Sequence, residues 1–184
     1  MGKGLIIILI IIALIVVFFI TAYNGFVKLK NRVDEAFATM DVYMKKRFDL
    51  IPNLVETVKG YAAHEKETLM AVTEARTSIM NAKTTEERLE NEGILSGALK
   101  SLFAVSEAYP DLKANQNFLD LQEQLRKVEE DIANSRKYYN AVVREYNTKR
   151  ETFPSNLVAS MFHFEKRALF EISEGERENV EVHF

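Results

Sequence analysis

Between Lys3 and Lys28 the chain carries no charged side chain, and the stretch Gly4–Tyr23 reads GLIIILIIIALIVVFFITAY. An α-helix rises ~1.5 Å per residue and the hydrocarbon core of a bilayer is ~30 Å thick, so about twenty such residues cross it. Buried in a soluble domain of this size, the same stretch would leave a large apolar surface in water. The segment therefore reads as a single transmembrane helix. A cleaved signal peptide fits less well. Its apolar region is usually ~7–15 residues and ends in small residues, whereas this run is longer and ends in Thr-Ala-Tyr-Asn-Gly-Phe. The expectation is a permanent N-terminal anchor over 1–23, a helical domain over 24–160 and a C-terminal tail over 161–184.

The flanking charges orient the anchor. Lys3 lies on one side; Lys28, Lys30 and Arg32 lie on the other, close to the membrane. By the positive-inside rule, three against one puts the C-terminal domain in the cytoplasm. Lys28, Lys30 and Arg32 are the candidate lipid-headgroup contacts, set against simple snorkelling of their side chains.

Beyond the anchor the chain is poor in turn formers. It has seven Gly and three Pro in all, and is rich in Ala, Leu, Glu, Lys and Arg. That favours helices over a sheet of short strands. Apolar residues recur every three or four positions at Phe26, Leu29, Val33, Phe37, Met40, Met44, Phe48 and Ile51, so the first helix continues out of the membrane. Pro52 should end or kink it, with Asp49 and Asn53 capping the ends so made. Asp49, Pro52 and Asn53 are thus a candidate turn or docking knuckle. A second helix is expected over 53–80, and a third from a capping box at Thr84–Glu87 to Tyr109.

The fourth is the longest, over 111–152. Phe118, Leu121, Leu125, Val128, Ile132, Ser135, Tyr139, Val142, Tyr146, Lys149 and Phe153 alternate in steps of three and four, five heptads of seam positions broken only by Ser135 and Lys149. Tyr138, Tyr139, Tyr146 and Phe153 add an aromatic seam. Four amphipathic helices joined by short links predict an all-α fold, an up-and-down four-helix bundle behind one transmembrane helix. A short helix is expected over 157–164. After it, 169–172 and 180–184 alternate like strands, or form a disordered acidic tail. Ordered strands there would need a partner, and a second copy of the chain is the simplest one. Phe170, Val180, Val182 and Phe184 are the candidate oligomer contacts.

Chemistry is hard to find. There is no Cys, and three His are scattered at 64, 163 and 183 with no Glu-x-x-His pair and no second His beside His64-Glu65. That leaves no expected catalytic residue, cofactor or metal site. No phosphate-binding glycine loop or nucleophile elbow occurs. Acids and bases are interspersed at a net charge of −3, which gives no reason to expect nucleic acid. Lys45-Lys46-Arg47 could suggest an anion patch, but on a straight helix it lies roughly 33 Å beyond Tyr23, several screening lengths from a membrane surface.

Three segments, KRFDLIPNLVETVKGYAAHE from Lys46, AVSEAYPDLKANQNFLDLQEQL from Ala104 and SRKYYNAVVREYNTKRETFPSNLVA from Ser135, resemble the LemA family of bacterial membrane proteins. Phe170 and the final Val182-His183-Phe184 resemble that family's ending. The resemblance runs from Tyr23 to the C-terminus. It implies an N-terminal anchor, a four-helix bundle and an N-terminus outside the cell, and it supplies no catalytic residues. The combined expectation is a non-enzymatic, self-assembling membrane scaffold whose partners are the bilayer and copies of itself. The alternative is an adaptor or receptor-like module that recruits another protein.

Overall fold

The structure is a computed structural model that describes residues 2–170. It is all-helical, with no strand among the described residues: α1 is Gly2–Tyr61, α2 Lys66–Asn81, α3 Thr85–Ser106, α4 Pro110–Lys113, α5 Gln116–Glu151 and α6 Ser155–Met161. The stretches expected to alternate like strands fall, apart from Leu169 and Phe170, outside the described residues.

The 60 residues of α1 would measure roughly 90 Å. Its first part is the candidate membrane span: Leu5 to Val17 and Ile20 are exposed, and burial begins only at Ala22 and Phe26. The helix does not end at Pro52. Proline there removes a hydrogen bond and crowds the preceding turn, at about 3 kcal/mol. Yet Ile51, Leu54 and Val58 share one buried face across it, and that burial holds the helix together. The break comes instead at 62–65. There Tyr61 Oη accepts from Asn115 Nδ2 at 2.9 Å and Tyr109 Oη donates to Glu65 at 2.8 Å.

Thr84 caps α3 as expected, its hydroxyl accepting from the Glu87 N–H at 3.1 Å. The Glu87 carboxylate reaches back to the Lys83 N–H at 2.8 Å. The expected fourth helix is in fact two. Pro110 opens the single turn α4, and Asn115 then caps α5 by accepting from the Phe118 N–H at 3.0 Å.

The chain forms two compact units, each drawing on α1 and α5: residues up to Ala38 with Lys137–Leu169, and Thr39–Arg136 with Phe170. In the first, Phe26, Leu29 and Val33 of α1 are buried with Tyr139, Val142, Val143 and Tyr146 of α5 and Val158 of α6. Phe26 stacks on Phe164 with centroids 4.8 Å apart and meets Tyr146 edge-on. Two members of the expected aromatic seam are not in the core: Tyr138 is exposed, and Phe153 is 75% exposed at the end of α5.

The segment after α6 forms no strand among the described residues, and α5 supplies donors to its carbonyls. Tyr139 Oη donates to the Ala168 carbonyl and Tyr146 Oη to that of Glu165, both at 2.9 Å. Arg150 Nε donates to the Phe164 carbonyl at 2.9 Å. Asn147 makes a reciprocal pair with Arg167, donating to its carbonyl at 2.8 Å and accepting its N–H at 3.0 Å.

In the second unit the core is Ile51, Leu54 and Val58 of α1, Leu69, Val72, Ala75 and Ile79 of α2, Leu95, Leu99 and Leu102 of α3, Leu112 of α4, and Phe118 and Leu125 of α5.

Candidate functional site

A groove of about 740 Å³ lies in the second unit, between α3 and α5. Leu99 and Phe103 line it from α3, Leu119, Leu125, Ile132 and Ala133 from α5, and Phe170 lies on its wall. Arg136 stacks over the Phe170 ring at 5.1 Å.

Arg47, at the same groove, is 1% exposed. It occupies a core position of α1, three residues after Met44 and four before Ile51, so its guanidinium is carried inward with the apolar face. Such a charge needs partners. Nη1 donates to Glu129 at 2.5 Å and to the Ser96 hydroxyl at 2.7 Å; Nη2 donates to the Glu92 carboxylate and, at 3.2 Å, to the Glu92 carbonyl. Burial pulls the guanidinium down, but Glu129 and Glu92 bring it above the ordinary arginine value. Burial, only partly offset by Arg47, holds the Glu92 carboxyl above the usual carboxylate range.

A pair of carboxylates at the floor of a cleft can do acid–base chemistry when they share a proton. Here Arg47 hydrogen-bonds both carboxyl groups, so a cation lies between them. Arg126 similarly engages Glu123 at 2.7 Å and Glu130 at 2.5 Å. The groove therefore offers apolar contact surface with an internally paired charge at its base.

The sequence candidates are placed as follows. Lys28 and Arg32 line a second groove, in the first unit, whereas Lys30 is exposed and outside it. Arg32 is paired with Glu145 at 3.1 Å. Asp49 takes Lys45 at 3.2 Å within α1, and Pro52 and Asn53 lie inside the helix, so none of the three caps a helix end. Phe170 is buried at the first groove; Val180, Val182 and Phe184 lie outside the described residues. Arg47, set aside in the sequence as part of a basic triplet, is the residue the sequence reading missed. The signal was its spacing, on the same face as Met44 and Ile51.

A family model described as the LemA family matches residues 36–184. Protein LemA of Metamycoplasma hominis is 29% identical over 163 residues, covering 86% of this chain and 73% of the relative. Magnetosome protein MamQ 2 of Paramagnetospirillum magneticum is 25% identical over 175 residues, covering 81% of this chain and 64% of its own length. Magnetosome protein MamQ of Magnetospirillum gryphiswaldense is 23% identical over 201 residues, covering 92% of this chain and 74% of the relative.

Proposed function

We propose that this chain, which belongs to the LemA family, is a non-enzymatic helical scaffold anchored in the bacterial plasma membrane by α1. Its copies assemble when the C-terminal segment of one seats Val180, Val182 and Phe184 in the α3–α5 groove of a neighbour. In this reading α1, α2, α3 and α5 of the second unit form an up-and-down four-helix bundle, and the domain beyond the anchor is cytoplasmic.

The observation that carries the reading is the character of the groove. Its carboxylates Glu92, Glu129, Glu123 and Glu130 are taken by Arg47 and Arg126, and what remains on its walls is Leu99, Phe103, Leu119 and Ile132. Apolar walls with satisfied charges favour a side-chain ligand from a protein segment over a reacting substrate. Phe170, already against the groove, leaves 14 residues to the C-terminus, a reach of roughly 46 Å when extended.

Light scattering of the detergent-purified full chain tests this. The wild type should be an oligomer, and both deletion of residues 171–184 and Leu119→Glu should give monomers. A wild-type monomer at micromolar concentration overturns the reading. The adaptor alternative predicts that the deleted chain still self-associates and loses a co-purifying protein instead.

A further inference from the structure

The heptad seam of α5 contains one charged residue, Lys149, and its placement is unusual. It is half-buried and lies across α1 at Gly25, where a Cβ would fall on the lysine ammonium. Its Nζ is 5.1 Å from the centroid of the Phe26 ring. Gly25 therefore gives Lys149 its path, and Phe26 gives it one electrostatic partner. One turn along α1, Lys28 joins the same groove, of about 670 Å³.

This groove has a surplus of positive charge. Lys28, Arg32 and Lys149 face a single carboxylate, Glu145, and Arg32 holds that carboxylate at 3.1 Å. Among the described residues neither Lys28 nor Lys149 forms an ion pair. The hydroxyls of Thr152 and Ser155 already donate to backbone carbonyls at 2.7 and 2.6 Å, so the two ammonium groups are the cationic donors that no carboxylate takes, with the Thr148 hydroxyl beside them. A half-withdrawn lysine with no carboxylate is costly unless an anion meets it.

The level of the groove says which anion. Twenty residues of α1 span ~30 Å, so a span starting at Leu5 ends at Asn24, and Gly25 and Lys28 fall in the headgroup layer. We propose that Lys28 and Lys149 clamp the phosphate of an anionic membrane phospholipid against α1 and α5. The proposal rests on the membrane-anchored reading of α1. It differs from general attraction of basic residues to a membrane because it excludes Lys30, which is as close in sequence and outside the groove.

The test is native mass spectrometry of the full chain released from nanodiscs of mixed phosphatidylcholine and phosphatidylglycerol. The wild type should retain phosphatidylglycerol in preference to phosphatidylcholine. Lys149→Met and Lys28→Met should each weaken retention about fivefold, the effect of one basic residue near a charged surface. Lys149→Arg should keep it, and Lys30→Met should leave it unchanged. Gly25→Ala leaves the charge intact, suits a helix and displaces the Lys149 ammonium, so it should also weaken retention. Equal losses in Lys30→Met and Lys149→Met, or no preference in the wild type, overturn the site. So does inorganic phosphate displacing the lipid at millimolar concentration, which would assign the groove to a free phosphate. Carbonate extraction of membranes separates the two ideas: a chain that stays in the pellet and shows no preference refutes the site alone, and a chain that is extracted refutes the anchor.

Discussion

Arg47 of α1 and Glu92 of α3 form an ion pair in which both side chains are withdrawn from water, 1% and 3% exposed. The pair joins two helices at the base of the α3–α5 groove, and Glu129 completes it from α5. Its arrangement makes a definite prediction. Arg47→Ala leaves two carboxylates near the core uncompensated and should destabilise the fold by about 3–5 kcal/mol. Replacing both charges, as in Arg47→Met with Glu92→Leu, should recover most of that loss. Thermal unfolding of the three proteins measures it; a double variant no better than the single one contradicts the account.

The same pair sets a pH dependence. A raised native pKa means that the folded chain holds the Glu92 proton more tightly than the unfolded chain does. That contribution is complete below the ordinary value of 4.5 and is lost as pH rises through the native value. Glu92→Gln does not titrate. The stability of the wild type relative to Glu92→Gln should therefore fall as pH increases from 4.5 toward neutrality. Urea midpoints across that range measure the difference, and a difference that grows with pH would show Arg47 outweighing burial.

Asn147 holds the backbone of Arg167 by two hydrogen bonds, and its neighbour Tyr146 holds Glu165. Asn147→Leu should free this segment while leaving the apolar packing of α5 in place, at about 1–3 kcal/mol for the polar groups left unpaired. Limited trypsin digestion reads it directly, with faster cleavage after Lys166 and Arg167 expected. Unchanged cleavage would mean that the segment is held by Phe164 and its aromatic neighbours instead.

Thr84→Ala removes the side-chain acceptor at the start of α3 and should lower stability by about 1 kcal/mol. Thr84→Asp should preserve it. The comparison of melting temperatures separates the cap from any wider role of the 82–84 loop.

Much of this architecture was legible because it depends on repeated patterns. The uncharged run before Lys28, the steps from Phe26 to Ile51 and the heptads of α5 each sum many small preferences, and all mark real helices. Single residues misled where tertiary packing outweighed local preference. Pro52, expected to end or kink α1, does not end it, because Ile51, Leu54 and Val58 bury one face across it. Arg47 was invisible because a count of apolar positions discards a charge, even one at core spacing. Phe153 was placed inward by extending the heptads two residues past the end of α5. Asn115 interrupts the expected long helix by capping α5, a role its side chain can take as readily as it can face solvent.

The groove is the center of the functional account, and the absence of cysteine from the chain gives a direct way to test its occupant. Two differently tagged copies, one with Leu119→Cys and the other with Val182→Cys, can be produced together and oxidised in isolated membranes. A disulfide-linked pair carrying both tags is the result expected if the C-terminal segment of one copy seats in the groove of the next. Chains that stay uncrosslinked, while a single copy bearing both substitutions closes an internal disulfide, would contradict assembly through this groove.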